Sequence, residues 1–360
     1  MQSLLDPLIL GAIQLKHRIV MAPMTRGRAT TLDEFGNANM PNKLMEEYYE
    51  QRATSGGLLI TEATPICVES QYEKTVPGIY TPAQIDAWKR VTEKVHAKGG
   101  FIFLQIWHQG YKCEPENDVL RRAPPSASVI ERDGEPISRE LTHDEIREIV
   151  DLFGQAATNA IDAGFDGVEI KGGNEYIIDQ FLNETTNKRT DRYGGSIENR
   201  NRFALEVVST VIAAIGASRT GIRISPWEIV PDRTDVSQWT SLLRALVLYN
   251  LAYVHVLRAT GGINNKPETD QILALRDAYA GGNLMLNRGY LIERANKTLD
   301  EGYADLISFG KLFLANPDLV DRVKLGKDLN TDYEFKTFYG GSSDGYTSYK
   351  TWNEQQDNLE

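Results

Sequence analysis

The stretch THDEIREIVDLFGQAATNAIDAGFDGVEI, residues 142–170, contains one complete helix–strand unit. Thr142 and Glu145 have the spacing of a capping box, which begins a helix by pairing a hydroxyl and a carboxylate with free backbone N–H groups. Apolar residues follow at helical spacing until Gly164, a residue type that ends helices in the left-handed conformation. The apolar run GVEI (167–170) then predicts a buried strand.

Similar units recur along the whole chain. Apolar runs without polar alternation are typical of parallel strands that are covered on both faces. The eight predicted strands are Ile19–Pro23, Leu58–Ala63, Phe101–Ile106, Gly167–Ile170, Ile222–Pro226, Tyr253–Leu257, Leu284–Asn287 and Leu306–Gly310. Eight strands that alternate with helices predict a (β/α)8 TIM barrel. A doubly wound sheet is the alternative, but it ordinarily carries a G-x-G-x-x-G after a strand, and this motif does not occur in the sequence.

We predict a single (β/α)8 barrel domain over residues 1–360, because such a barrel accommodates this length and no linker rich in Pro, Gly or Ser divides the chain. Three segments extend the barrel. Residues 1–18 are expected to form an N-terminal β-hairpin that closes the barrel bottom. Residues 107–142 form a long excursion over the barrel mouth after the third strand, and residues 330–360 form a C-terminal tail.

Charge and composition exclude several classes of partner. The chain has 39 Lys and Arg against 50 Asp and Glu, a net charge of −11, and its basic runs are no longer than pairs, so we expect no nucleic-acid partner. Its apolar runs are far shorter than the ~20 residues of a membrane-spanning helix, so we expect no membrane partner. Cys67 and Cys113, the two cysteines, have neither a disulfide framework nor metal-ligand spacing. We therefore expect a cytoplasmic protein without a metal.

In a TIM barrel the functional groups lie where the strands end. At these positions Thr25 and Gln105 offer neutral hydrogen bonds, and Trp107 and Tyr176 offer aromatic walls. Arg223 lies inside an apolar strand, where an unpaired charge is costly, and this favours a functional role.

The loops after strands seven and eight carry Arg288, Gly289 and Lys311. Phosphate sites in barrels commonly lie at these loops, and backbone N–H groups beside a cation suit a phosphate monoester. The residues therefore predict a planar, phosphorylated ligand at the barrel mouth. His108 and His255 are expected to be structural, and the two cysteines inert.

The chain resembles the Old Yellow Enzyme family of FMN-dependent ene-reductases nearly end to end. The resemblance rests on MAPMTR (21–26), LLITEAT (58–64), LQIWHQG (104–110), AGFDGVEI (163–170), DQFLNETTNKRTDRYGGSIENR (179–200), GIRISP (221–226), FGKLFLANPDLV (309–320) and FYGG (338–341). Within the family, the details are most similar to fungal members of secondary metabolism, such as the chanoclavine-aldehyde reductases of ergot alkaloid pathways.

The resemblance implies NADPH-driven reduction of an activated C=C bond in a small enone or enal, by a monomer or homodimer. It implies that FMN lies on the carboxyl end of the barrel. The positions it assigns to FMN are Pro23, Met24, Thr25, Ala63, Gln105, Arg223, Arg288, Gly289, Gly310 and Lys311. It places the proton donor at Tyr176 and the substrate cavity at Tyr72, Trp107 and Tyr339.

The fourth strand departs from the family pattern, which is a His, two small residues, His or Asn, then Gly-Tyr. Lys171 replaces the first His, Asn174 is retained, and Glu175 replaces the Gly before Tyr176. The family's His/Asn pair hydrogen-bonds the substrate carbonyl, and Lys171 is still a donor. Desolvation and the like charge of Arg223 would push this lysine towards neutrality, so it could act as an acid, a base or an amine nucleophile.

Two alternatives to the ene-reductase follow from these departures. Lys171, Glu175 and Tyr176 place three titratable groups within six residues, which favours a redox-neutral isomerase or cyclase on the same fold. Lys311 replaces the usual Arg and loses its bidentate fork, while Arg288 replaces a Gly and could either supply a guanidinium or hinder cofactor entry. A degenerate binding protein without cofactor is therefore the third hypothesis.

Overall fold

A computed structural model of the chain describes residues 2–31, 38–70, 75–113, 122–228, 235–259 and 266–356. Its strands are β1 (Leu8–Leu10), β2 (Ile13–Leu15), β3 (Ile19–Met21), β4 (Leu58–Pro65), β5 (Phe101–Trp107), β6 (Pro125–Ser126), β7 (Glu131–Arg132), β8 (Glu135–Pro136), β9 (Arg139–Glu140), β10 (Gly167–Lys171), β11 (Thr220–Ile224), β12 (Tyr253–Leu257), β13 (Leu284–Asn287) and β14 (Leu306–Phe309). Its α-helices are α1 (Lys43–Arg52), α2 (Pro82–Ala97), α3 (His143–Asp162), α4 (Ile177–Leu182), α5 (Ile197–Ile215), α6 (Ser237–Leu246), α7 (Lys266–Ala278), α8 (Ile292–Asp300), α9 (Lys311–Ala315), α10 (Leu319–Leu325) and α11 (Trp352–Gln356).

Eight parallel strands close into a barrel in the order β3-β4-β5-β10-β11-β12-β13-β14, and β14 pairs back onto β3. All eight predicted apolar runs form these strands, so the predicted (β/α)8 barrel is confirmed. The pairing of β10 with β11 sets Lys171 beside Arg223. This register brings two cations to neighbouring positions at the carboxyl end of the barrel.

The N-terminal hairpin covers the opposite end. Strands β1 and β2 pair antiparallel, and the buried Leu10 and Leu15 join a cluster with Leu58 and Leu306, the first residues of β4 and β14. Apolar side chains of the hairpin therefore close the barrel where its strands begin.

Helix α3 begins as its sequence predicts. The Thr142 hydroxyl accepts from the Glu145 N–H, and the Glu145 carboxylate accepts from the Thr142 N–H, which completes the capping box. Gly164 follows the helix with φ of +84°, a left-handed conformation that glycine adopts without steric cost. None of the described helices is long and apolar enough to cross a membrane.

Three buried arginines fasten the segment 337–346 to the barrel. Arg26 and Arg28 donate to backbone carbonyls of this segment, including those of Phe338 and Gly345. Arg52 is fully buried and donates to the carbonyls of Phe313 and Leu314 in α9 and of Tyr346. Guanidinium groups suit this task because one side chain supplies five donors in a fixed plane.

We expect Arg52→Lys to lower the free energy of unfolding by about 2–4 kcal/mol, because lysine leaves several buried carbonyls without donors. Denaturant unfolding of the two proteins measures the difference. Arg90→Lys is the matched control, since the Arg90 side chain is 54% exposed, pairs with Glu46 at 2.9 Å and donates to the Asp86 carbonyl at 3.4 Å, and should cost less than about 1 kcal/mol. Equal losses for the two substitutions would contradict this role of Arg52.

Candidate active site

A cleft of about 910 Å³ lies at the carboxyl end of the barrel. The loops after β3, β10 and β14 supply much of its wall, together with the excursion after β5 and the segment 337–346. The predicted site residues in this wall are Pro23, Met24, Thr25, Trp107, Lys171, Asn174, Tyr176, Gly310, Lys311 and Tyr339. Residues far apart in the sequence therefore meet in one cavity, as expected for strand ends of a barrel.

A chain of hydrogen bonds crosses the barrel interior between strands. The Gln105 amide donates to Glu169 Oε1 over 2.6 Å, and Glu169 Oε2 lies 2.8 Å from His255 Nδ1. The other ring nitrogen of His255 lies 2.8 Å from the Ser308 hydroxyl. All four side chains are buried, so each polar group needs the partner it has here. Ala63, another predicted cofactor contact, is buried opposite Gln105 on β4.

Electrostatics in this layer favour an ionised glutamate beside a neutral histidine. Burial opposes ionisation of Glu169, but hydrogen bonds from His255 and Gln105 and the positive charge of Arg223 hold the pKa of the carboxyl below its ordinary value. Burial lowers the pKa of His255 in turn. A neutral His255 donates its Nδ1–H to the carboxylate and accepts from Ser308, which fits the structural role predicted for it.

The Arg223 guanidinium is buried and only partly hydrogen-bonded within the described residues. It is 6% exposed, and its Nη2 donates to Asn287 Oδ1 over 3.0 Å. Among the described residues, its Nε and Nη1 have no hydrogen-bond partner. Buried guanidinium N–H groups without acceptors are costly, so a ligand that supplies acceptors would bind favourably. The pyrimidine edge of the FMN ring is such an acceptor, and the residues present therefore fit this cofactor.

The loop after β10 holds the residues that replace the family pattern. Asn174 and Glu175 both have positive φ, +63° and +62°, a conformation that is strained for side chains other than glycine. The Asn174 N–H donates to Ser225 Oγ over 2.6 Å, and the Glu175 N–H donates to the Asp179 carboxylate over 2.8 Å. These bonds hold the loop in its strained form although a glutamate replaces the expected glycine.

Glu175 does not pair with Lys171. Its carboxylate lies 2.7 Å from Lys112 Nζ and accepts a hydrogen bond from the Tyr111 hydroxyl at 3.1 Å. Both residues that hold Glu175 belong to the excursion after β5, so the excursion separates this carboxylate from Lys171.

Lys171 lies against aromatic rings. Its Nζ is 4.5 Å from the ring centroid of Trp107 and 4.7 Å from that of Tyr176, and the two rings contact each other edge to face. Burial and the positive charge of Arg223 lower the pKa of Lys171 to about 7. The shift towards neutrality expected from the sequence is therefore present in the structure.

The two cations assigned to phosphate have different surroundings. Lys311 lies in the cleft wall, and its Nζ is 5.3 Å from the Tyr333 ring. Arg288, with φ of +85°, donates to Glu228 over 2.9 Å and to a backbone carbonyl over 3.0 Å. The cleft wall formed by described residues includes neither Arg288 nor Gly289. Lys311 thus lies in the wall itself, whereas Arg288 is held by Glu228, a residue of that wall.

His108 and Cys67 keep their uncharged forms at physiological pH. Burial lowers the pKa of His108 to about 3 and raises that of Cys67 to about 12. The histidine stays neutral and the thiol stays protonated at physiological pH, as expected for structural residues. Tyr72, assigned to the substrate cavity, lies outside the described residues.

Sequence reasoning missed several groups of the site. Lys112, Tyr111 and Arg132 contribute to the cleft from the excursion, and Glu228 contributes from the loop after β11. Nothing in their local patterns marks them. Glu169 was detectable, because it stands inside an apolar strand as Arg223 does.

Comparison with known proteins agrees with this architecture. The NADH:flavin oxidoreductase / NADH oxidase family matches residues 3–330. The flavin oxidoreductase hxnT of Emericella nidulans is 40% identical over 97% of both chains. The 12-oxophytodienoate reductase 1 of Oryza sativa subsp. japonica is 42% identical over 96% of this chain and 92% of that protein.

Solved structures agree as well. Morphinone reductase in complex with tetrahydroNAD superimposes with a TM-score of 0.88 at 37% identity and covers 99% of each chain. The predictions of a flavin-dependent enzyme, an FMN cofactor and a nicotinamide reductant are confirmed. The chain belongs to the NADH:flavin oxidoreductase / NADH oxidase family and, within it, to the Old Yellow Enzymes.

Proposed function

We propose that this enzyme uses NADPH to reduce the activated C=C bond of an α,β-unsaturated aldehyde or ketone. This substrate is an intermediate of natural-product metabolism. The observation that carries the proposal is the cleft wall in which Lys171, Asn174 and Tyr176 stand together, with Arg223 beside Lys171 on the adjacent strand. It combines donors for a carbonyl oxygen, a phenol that can give a proton, and a cation for an electron-rich ring.

The residues divide the work between binding and proton transfer. Thr25, Gln105 and Arg223 would hold the FMN ring, and Lys311 its phosphate. When bound, FMN supplies the hydride that NADPH provides and that the β-carbon of the substrate receives. The carbonyl oxygen accumulates negative charge as this happens, and donors at Lys171 and Asn174 stabilise that charge.

Tyr176 completes the reduction by giving a proton to the α-carbon. Its ring packs edge to face on Trp107 at a centroid distance of 4.7 Å, which restricts the position of the hydroxyl. A proton donor held at a fixed position beside the substrate gains from orientation as well as acidity.

One observation favours the redox-neutral isomerase or cyclase as a second candidate. Lys171, with its pKa near 7, is suited to accept and return protons at physiological pH. The ion pair between Glu175 and Lys112 counts against it, because that carboxylate is already neutralised by another cation.

Dependence on NADPH separates these candidates. We expect the purified protein to be yellow, to bleach when NADPH is added without oxygen, and to form one reduced product per NADPH consumed. Absorption spectra and product analysis measure these events. Product formed from an enal without NADPH would favour the isomerase or cyclase, and a colourless protein unable to take up FMN would contradict both flavin dependence and the ene-reductase.

Arg223→Met should weaken FMN binding by about 10- to 100-fold, because hydrogen bonds from a charged group contribute about 1.5–3 kcal/mol. Titration of the apoprotein with FMN, followed by fluorescence, measures the affinity. Arg90→Met removes an exposed arginine remote from the cleft wall and should bind FMN as the unsubstituted protein does. Unchanged affinity in Arg223→Met would contradict its contact with the cofactor.

Tyr176→Phe should leave reduction of the flavin by NADPH within about twofold and slow reduction of the alkene by about 10²- to 10⁴-fold, the usual contribution of a positioned acid. Stopped-flow spectroscopy resolves the two steps. Tyr111→Phe is the matched control, since the Tyr111 hydroxyl already donates to Glu175, and it should slow the alkene step far less. Equal loss of both steps in Tyr176→Phe would refute the proton-donor role.

A further inference from the structure

We propose that Lys171 is a covalent attachment site for the substrate. Its amine condenses with the carbonyl carbon of the α,β-unsaturated aldehyde, and the enzyme reduces the resulting iminium ion instead of the free aldehyde. This inference rests on the proposed function for its substrate class, and it changes the role of Lys171 from a hydrogen-bond donor to a nucleophile.

The position of Lys171 allows this attack. The side chain ends β10, is half-buried, and lies in the cleft wall with Asn174 and Tyr176. Among the described residues, none forms an ion pair or a hydrogen bond with its amine. Of the two nearby carboxylates, Glu175 pairs with Lys112, and Glu169 is bound by Gln105 and His255.

The charges around the amine keep much of it in its nucleophilic form. Burial disfavours the ammonium form most strongly, Arg223 on β11 and Lys112 after β5 act in the same direction, and Glu169 on β10 opposes them. The pKa is lowered to about 7 as a result. A lysine with an ordinary pKa of about 10.4 is neutral in roughly one molecule per thousand at pH 7.5, whereas this amine is mostly neutral there.

The aromatic rings suit the cation that forms. Trp107 and Tyr176 lie 4.5 and 4.7 Å from Nζ, so an iminium charge on the same nitrogen would remain in contact with both ring faces. A small hydrated ammonium loses more on leaving water than a delocalised iminium does. The wall around Lys171 therefore favours the condensed form over the protonated amine.

The covalent cycle balances without an additional reactant. The neutral amine and the aldehyde take up one proton and release one water as the C=N bond of the iminium replaces the C=O bond. Reduction by NADPH adds a hydride to the β-carbon and leaves a neutral enamine, and Tyr176 protonates its α-carbon. Water then hydrolyses the saturated iminium, which releases the saturated aldehyde, one proton and the free amine.

The iminium ion gives a chemical advantage over a hydrogen-bonded carbonyl. A full positive charge conjugated with the C=C bond makes the β-carbon a stronger hydride acceptor than hydrogen bonds from Lys171 and Asn174 would. This advantage is specific to lysine, because the histidine that the family pattern places here does not form a stable imine.

Reductive trapping tests the attachment directly. The FMN-loaded enzyme is incubated at pH 7.5 with cinnamaldehyde and sodium cyanoborohydride, without NADPH, and labelled lysines are mapped by peptide mass spectrometry. We expect Lys171 to be labelled at least about tenfold faster than Lys89 and Lys336, whose exposed amines have raised pKa values. Labelling of Lys171 no faster than these two internal controls would overturn the proposal.

The pH dependence of trapping supplies a second test. Relative to Lys89, labelling of Lys171 should be greatest and nearly constant below about pH 7 and should fall by roughly tenfold per pH unit above it, because Lys171 is then already neutral while the neutral fraction of Lys89 still rises. A ratio that stays constant from pH 6 to pH 10 would overturn the proposal. Neither this experiment nor the mapping requires hydride from NADPH, so both can succeed if the proposed ene-reductase activity fails.

The oxygen of the product tests whether the attachment lies on the reaction path. Cinnamaldehyde is reduced with NADPH in ¹⁸O-water, and the product is trapped at once as its alcohol with borohydride. We expect one solvent oxygen per turnover, because hydrolysis of the iminium inserts it. In the control Lys171→His, which restores the family's hydrogen-bond donor, the product should carry only background label. Equal retention of the original oxygen in both proteins would overturn a covalent path.

Discussion

The buried carboxylate of Glu169 is the charge around which the site is organised. A barrel interior accepts an ion only when hydrogen bonds and opposite charge replace the water it has lost. Gln105 occupies one of its oxygens and His255 the other, while Arg223 supplies the positive charge nearby. The strands that carry these residues are thereby tied together by polar contacts as well as by their backbone ladders.

This arrangement fixes how Arg223 can be used. Asn287 orients one end of the guanidinium. The negative charge of Glu169 stabilises the positive charge of Arg223 within an apolar strand. Two of its nitrogens are left without partners among the described residues, and it stands beside Lys171 in the β10–β11 register. One residue therefore has donors available for a cofactor and also lowers the pKa of the neighbouring amine.

The fold was predictable because its signals are local. The run GVEI and the capping box at Thr142 each specify an element within a few residues, and the strand ends then identify most of the cleft wall. The pairings of Glu175 with Lys112 and of Arg288 with Glu228 were not predictable. Each joins loops that lie about 60 residues apart, and only the closed barrel brings them together.

The two changes at the fourth strand are best understood together. Lys171 replaces the expected histidine. If Glu175, four residues later, formed an ion pair with it, the carboxylate would stabilise the ammonium form, which is not nucleophilic. The left-handed backbone at Asn174 and Glu175 turns the chain, and the ion pair with Lys112 holds that carboxylate elsewhere. Lys171 is left facing two aromatic rings, with Arg223 as the dominant nearby charge. The glutamate thus stabilises the excursion over the cleft without raising the pKa of the amine, and a largely neutral, nucleophilic lysine becomes compatible with a site already built around Arg223.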